Sequence, residues 1–355
     1  MTQTAVRFHG PGDLRVDQVP TPEVKPGTAL LRVEAVGICA TDQKIAARGH
    51  FKIPAGSGPR TLGHEVTGAI VEVGAGVRDL AAGSRVVVAP NLGCGTCPEC
   101  VQGDMHLCEN YDALGITLDG GMAEYMLIPA LMIARGNVLP VPDSLDPAHA
   151  ALVEPLACCY NALEACRLKP GHALLIIGAG PMGLMHAALG LACGAAPVIV
   201  SDLLEARLER ALSIGVDAAI KADVEDVGER VLQSTGGRGA DVVIVAAASA
   251  RAQSEAAEMA ARRGSVNFFA SLPGADDQVT VPANLVHYRQ ISITGTTGAN
   301  VTHFREVLKL LGGRRLEVTS LVTSLRPLAD AKEAFEQARA PEHARVVLES
   351  ATKAA

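Results

Sequence analysis

Short apolar runs separated by helix-forming segments constrain the fold of this chain more than any other feature. Ala173-Leu174-Leu175-Ile176-Ile177, Val198-Ile199-Val200, Val242-Val243-Ile244-Val245 and Val266-Asn267-Phe268-Phe269 do not alternate apolar with polar residues. Strands buried on both faces read this way, because helices cover each side of the sheet. Between the first two runs lies a helical segment of Ala, Leu, Met and Gly. Alternating strand and helix predicts a parallel, doubly wound sheet, with Gln290-Ile291-Ser292-Ile293-Thr294 as its last strand.

The turn after the first run sharpens this reading. Gly178-Ala179-Gly180-Pro181-Met182-Gly183 fits G-x-G-x-x-G, follows a strand directly and opens a helix. Gly178 permits the tight turn, Gly180 lets the backbone approach a pyrophosphate, and Gly183 lets helix and strand pack closely. Pro181 is tolerated because a first-turn residue needs no N–H partner. The helix start, which includes Met182, offers free N–H groups and a positive dipole end to phosphate. Asp202 lies 19 residues after Gly183, where an acid hydrogen-bonds ribose hydroxyls and repels a 2′-phosphate. NAD is therefore expected rather than NADP, although Arg207, five residues on, pulls the other way. The competing reading is a glycine-rich turn that binds no nucleotide; strand, helix and acid together argue against it.

The first 140 residues read differently. Ala29–Val36, Ala69–Val73 and Arg85–Ala89 are short strand patterns bounded by Pro26-Gly27, Gly74-Ala75-Gly76 and Ala82-Gly83, which predicts a mostly β domain. Helix formers begin at Ala148, after Leu139-Pro140-Val141-Pro142-Asp143. The tail holds a helical pattern at Phe304, Val307, Leu308 and Leu311, then Leu321-Val322 and an Ala-rich segment; Ala351–Ala355 should fray.

Composition excludes several classes. The 355 residues are 48% hydrophobic and 19% charged, too apolar for a disordered chain. A formal net charge of −7 and an aromatic content of 3% leave neither a basic footprint for nucleic acid or membrane nor a base-stacking surface. The longest apolar stretch, Leu184–Val200, is interrupted by His186, Gly190, Gly194 and Pro197 and does not read as a membrane span. The N-terminal residues hold no apolar run of signal-peptide length, and a cytoplasmic location is expected.

The 9 Cys divide by position. Cys94-x-x-Cys97-x-x-Cys100, followed by Cys108, lies among the turn formers Gly93, Gly95, Pro98 and Gly103. Four thiolates on one loop satisfy tetrahedral Zn²⁺ and leave no open position, so the ion would be structural. An iron–sulfur cluster is the rival, but the ferredoxin pattern spaces its fourth Cys by three residues and follows it with Pro, whereas Cys108 precedes Glu109. Cys158, Cys159, Cys166 and Cys193 sit among Ala and Leu and read as core thiols.

Cys39-Ala40-Thr41-Asp42, Gly63-His64-Glu65 and Glu154-Pro155-Leu156-Ala157 are uninformative one at a time. Together, Gly63-His64-Glu65-x-x-Gly68-x5-Gly74-x-x-Val77 resembles the zinc signature of the medium-chain alcohol dehydrogenases. Cys39-x-Thr41-Asp42 resembles their upstream ligand motif, and the four-Cys lobe their structural zinc loop. Asp119-Gly120-Gly121-Met122-Ala123-Glu124-Tyr125 and Glu154-Pro155-Leu156-Ala157 are closer to the polyol (sorbitol-type) and threonine dehydrogenase branch.

The resemblance implies an α/β protein with a mostly β, GroES-like catalytic domain and a Rossmann domain. The catalytic domain, 1–150 completed by 297–355, would hold both zinc sites, and 151–296 would bind the dinucleotide. Cys39 and His64 become ligands of a catalytic zinc, with Glu65 and Glu154 as alternative carboxylate ligands. Asp42 would accept the second imidazole N–H of His64. Thr41 would carry the substrate proton away through the nicotinamide ribose. The implied reaction oxidises a secondary alcohol of a polyol or sugar-like substrate to the ketone. The alcohol loses its proton on zinc and hydride passes to nicotinamide. A homodimer or homotetramer is implied as well.

Lys44 and Asn161 stand where threonine dehydrogenases usually carry His, which weakens the case for threonine and leaves a threonine or amino-alcohol dehydrogenase as the alternative to the polyol reading. The small residues Ala40, Ala47 and Gly115 suit a hydroxylated chain. His50 lies between proposed ligands and is the further histidine placed to reach substrate. A zinc-independent enone or quinone reductase on the same fold, and a non-enzymatic NAD-binding protein, are the competing readings; the ligand set argues against both.

Overall fold

The computed structural model describes residues 1–274 and 277–350; the segment Ala351–Ala355, expected to fray, lies outside them. The chain divides into two compact units. One takes Met1–Glu154, Ala299–Gly312 and the stretch from Val322, and the other takes Pro155–Gly298 and Gly313–Leu321. The return of Gly313–Leu321 to the second unit is absent from the sequence reading, which assigns everything after 297 to the first domain. Leu316, Val318 and Leu321 are buried, so this excursion carries an apolar load of its own.

The second unit is built on six parallel strands. Their order is Ala218–Lys221, Val198–Asp202, Leu174–Ile177, Ala240–Val245, Ala260–Phe268, Ser292–Gly295. Construction starts at Leu174–Ile177 and proceeds first to one side and then to the other, which puts a topological switch point at the carboxyl end of that strand. Leu175, Ile199, Val243, Val245 and Val266 are fully buried, as the unalternated runs require. Two details differ from expectation. Ala218–Lys221 is an edge strand too short and too mixed in polarity to announce itself. Gln290 adopts a left-handed conformation (φ 54°) that closes helix Ala283–Arg289, so the last strand starts at Ser292 rather than Gln290.

The first unit is mostly β. Its largest sheet is organised on Ala29–Gly37, which pairs antiparallel with Glu65–Val73, with Tyr125–Ile128 and with Arg345–Glu349. The Ala-rich tail thus supplies helix Ala331–Gln337 and a strand that returns to the middle of the sheet. Leu31, Ile70, Leu62, Ile128 and Met132 are among the largest fully buried side chains there. Gly37 stands opposite Glu65 in the ladder. A Cβ on Gly37 would overlap the Glu65 carboxylate, so glycine at this register position is what makes room for a buried acid.

Two local features position chemistry. Cys39 is the N-cap of helix Ala40–Arg48, and Asp42 at the third helical position accepts a hydrogen bond from the Cys39 N–H at 3.0 Å. This capping-box exchange holds Cys39 and Asp42 in fixed relation. The ribbon Asn91–Leu92 with Asp112–Ala113 brackets the loop carrying the other four cysteines. Among the described residues no helix is long and apolar enough to cross a membrane.

Candidate metal centres and nucleotide site

Cys39, His64 and Glu65 come from the N-cap of one helix and the start of strand Glu65–Val73, and their ligand atoms all lie within 4.8 Å of one another. Glu65 is fully buried and His64 is 8% exposed. Asp42, also fully buried, is placed behind them. One of its oxygens accepts from the Gly63 N–H at 3.2 Å and lies 3.6 Å from His64 Nδ1. The other oxygen holds the Cys39 N–H. Asp42 therefore fixes the backbones of both neighbouring donors and faces the imidazole, the arrangement that leaves Nε2 of His64 for an ion.

The charges are strongly coupled. Burial alone would raise the Cys39 thiol, yet the charge and hydrogen bond of His64 bring it below its ordinary value. Desolvation works against the His64 cation, and Asp42 and Cys39 overcome it, so the imidazole is driven well above its usual range. Glu65 accepts a hydrogen bond through Oε2 from Arg345, which is itself 5% exposed, whereas its Oε1 is buried without a hydrogen-bond partner among the described residues. A thiol, an imidazole and a carboxylate converging at a largely buried site fit a Zn²⁺ ion. Glu154 is the alternative carboxylate ligand of the sequence reading. It lies in the first turn of helix Val153–Ala165 and is half-buried. Thr41 follows Cys39 in the first turn of its helix and is also half-buried.

The four thiol sulfurs of Cys94, Cys97, Cys100 and Cys108 likewise lie within 4.8 Å of one another, with Cys108 buried. Backbone donors converge on them. Thr96 and Cys97 N–H point at the Cys94 sulfur at 3.5 and 3.4 Å, and the Cys94 N–H points at Cys108 at 3.3 Å. These donors stabilise a thiolate, and the Thr96 and Cys97 contacts draw the Cys94 thiol down to about 6. Arg135 closes the loop from outside, donating to the Gly93 and Cys94 carbonyls. Four sulfurs gathered in this way suit a closed structural zinc site.

The glycine-rich turn has the geometry its mechanism needs. Gly178 has φ 103°, and a Cβ on Gly183 would overlap the Gly178 carbonyl oxygen. Gly180 caps helix Pro181–Ala192, with Pro181 at its first position and Met182 next. Asp202 ends its strand and accepts from the Ala179 N–H at 2.7 Å and from the Leu204 N–H at 2.9 Å. It thereby ties the glycine turn to the second strand. Arg207 Nη1 lies 3.7 Å from Asp202 Oδ2.

Sequence reasoning missed Arg345. It is the buried counter-charge of Glu65, and the available signal was an arginine at the head of an otherwise apolar strand pattern, Ala344-Arg345-Val346-Val347-Leu348. It also missed Arg135, whose partners are backbone carbonyls that no side-chain pattern reveals. Among the remaining cysteines, Cys159 and Cys166 are buried, while Cys158 and Cys193 are only partly so.

Residues 25–143 match the Alcohol dehydrogenase GroES-like domain, and residues 181–312 match the Zinc-binding dehydrogenase domain. The L-threonine 3-dehydrogenase of Pyrococcus horikoshii is 34% identical over 335 residues, covering 93% of each chain. The sorbitol dehydrogenase of Halalkalibacterium halodurans is 30% identical over 347 residues, covering 96% of each. A Sinorhizobium meliloti 1021 protein assigned as a zinc-binding dehydrogenase, solved bound to NADP, superposes with a TM-score of 0.90 at 32% identity, covering 98% of this chain and 99% of that one. The chain belongs to the zinc-type medium-chain alcohol dehydrogenase family and is an oxidoreductase.

Proposed function

We propose that the protein oxidises a secondary alcohol of a polyol or sugar-like substrate to the ketone, using NAD in preference to NADP. The observation that carries this reading is the convergence of Cys39, His64 and Glu65, whose ligand atoms lie within 4.8 Å of one another. When bound there, zinc would acidify the substrate hydroxyl and nicotinamide would accept the hydride. Cys39, His64 and one of Glu65 or Glu154 hold the ion, and Cys94, Cys97, Cys100 and Cys108 hold the structural one. Asp42 keeps His64 in the tautomer that leaves Nε2 free. Thr41 receives the substrate hydroxyl proton at its Oγ1 and releases it toward solvent.

Gly178, Gly180, Pro181, Met182 and Gly183 receive the pyrophosphate. The preference for NAD rests on Asp202, a carboxylate held in place by two backbone N–H groups. A ribose 2′-phosphate brought beside it meets like charge, and Arg207 moderates that repulsion. A cytoplasmic homodimer or homotetramer completes the reading. The sorbitol dehydrogenase relative supports the polyol assignment. The threonine dehydrogenase relative supports the alternative of an amino alcohol, against which Lys44 and Asn161 stand. A panel of polyols, sugar alcohols, amino alcohols and threonine, read at the nicotinamide absorbance with NAD and with NADP, tests it. A polyol turned over with NAD is the expected result, and turnover confined to threonine would overturn the substrate assignment.

A further inference from the structure

The last strand of the second unit is gripped by a buried amide that no step of the proposed reaction uses. Asn267 lies within strand Ala260–Phe268 and is fully buried. In the parallel register it stands beside Thr294 of strand Ser292–Gly295. Asn267 Nδ2 donates to Thr294 Oγ1 at 3.0 Å, and Thr296 Oγ1 donates to Asn267 Oδ1 at 3.2 Å. The network itself sets the amide orientation. Thr294 Oγ1 gives its proton to the Val266 carbonyl at 3.2 Å, so it must accept from Asn267, which turns Oδ1 toward Thr296. One side chain thereby holds two residues of its neighbour, one inside the strand and one just past its end.

Such a grip is needed because burial specifies this strand weakly. Ile293 is 38% exposed, and Ser292 and Gly295 are exposed as well. Ile291, just before the strand, is buried and anchors the entry. Register is loosely set where neither face of a strand is buried, so the exit needs a different device. Burying an amide is costly unless its partners are in place. Asn267 therefore penalises any register that moves Thr294 and Thr296 away from it.

A second amide holds the far end of the exit. Asn161 Nδ2 donates to the Gly298 carbonyl at 3.0 Å, both residues belonging to the second unit. Gly298 has φ 61°, the left-handed region that favours glycine. Thr296 and Gly298 are thus both fixed, and Thr297 between them is exposed. The place of this segment gives it a partner. Strands Leu174–Ile177 and Val198–Asp202 lead to the glycine turn and Asp202, which take the pyrophosphate and the adenosine ribose in the reading above. In a doubly wound sheet a dinucleotide crosses the switch point along the carboxyl ends of the strands. Thr296–Gly298 leaves the carboxyl end of the last strand, on the opposite side of the switch point from Asp202. The end of the dinucleotide beyond the pyrophosphate runs toward that side.

We propose that Asn267 and Asn161 are positioning residues for the nicotinamide end of the cofactor, which they serve by fixing the strand exit Thr296–Gly298; this rests on the reading that the second unit binds a dinucleotide. NADH and ADP-ribose, the same molecule without its nicotinamide ring, are the probes. Calorimetric titration of the full-length, zinc-loaded protein with each separates the two ends of the site. Asn267→Leu should weaken NADH about tenfold and leave ADP-ribose within twofold. Thr296→Val deletes one hydroxyl and keeps the side-chain shape. It should weaken NADH about threefold with ADP-ribose unchanged, and it carries the test if the Asn267 variant does not fold. Asn161→Ala should act in the same direction. Equal losses for the two probes would make the amides general supports of the sheet and overturn the proposal. Unchanged NADH affinity in Thr296→Val and Asn161→Ala would overturn it as well, with the dinucleotide reading intact. A parent protein that binds neither probe fails the dinucleotide reading, and the proposal with it.

Discussion

His186 offers the sharpest quantitative test of how the second unit is held together. It sits on helix Pro181–Ala192, fully buried, with its ring edge-on to Phe269 at 4.5 Å. Neither ring nitrogen has a hydrogen-bond partner among the described residues. Burial therefore disfavours the imidazolium, and the pKa falls from 6.5 to about 3. Between those two values the unfolded chain binds a proton that the folded chain refuses, so stability declines as pH falls through that window. At pH 5 the loss relative to pH 8 is about 1.36 kcal/mol for each of roughly 1.5 pH units, or about 2 kcal/mol. His186→Leu abolishes this term. It also relieves the desolvation of two unpaired nitrogens, about 1–3 kcal/mol, offset by the lost ring contact, about 0.5–1.5 kcal/mol. The pH-independent parts cancel when the stability difference between variant and parent is compared at two pH values. Urea unfolding at pH 5 and pH 8, followed by hydrogen exchange of helix Pro181–Ala192, reads that difference. It should grow in favour of the variant by about 2 kcal/mol at the lower pH. A difference constant to within ~0.5 kcal/mol, the usual error of additivity, would refute the reasoning.

Four other outcomes follow from the same geometry. Cys39→Ala should reduce turnover by about a thousandfold or more while elemental analysis still finds one zinc per chain, because the four-Cys site is built from separate residues. Arg345→Met leaves Glu65 as an uncompensated buried charge and should destabilise the first unit by about 3–5 kcal/mol in denaturant titration, with Glu65→Gln in the same chain restoring most of it. Asp202→Ala removes the acceptor for two backbone N–H groups and should lower stability by about 1–3 kcal/mol. The same variant should raise the ratio of NADP to NAD kcat/KM by about tenfold or more, which parallel assays would show.

Much of the fold was legible in the sequence because its determinants are local or periodic. The unalternated apolar runs report burial on both faces wherever they occur, and all four that were recognised became strands of the parallel sheet. The glycine turn was legible because Gly178 and Gly183 answer to steric demands within a few residues of themselves. The four cysteines of the lobe could be grouped because one short loop carries them. Strand Ala218–Lys221 escaped notice because an edge strand needs little apolar residue, and strand Arg345–Glu349 because its place beside Ala29–Gly37 is set across three hundred residues of chain.

Sequence alone therefore determined the residue types able to bind zinc and dinucleotide, since spacing and turn chemistry act over short range. Only the tertiary structure decided which of them meet. The antiparallel register sets Gly37 against Glu65, and the returning C-terminal strand brings Arg345 to one oxygen of that carboxylate while leaving the other without a partner. A buried acid, its counter-charge and the glycine that admits them belong to three distant segments. Their meeting depends on strand pairing and burial, which long-range packing settles and local sequence cannot encode.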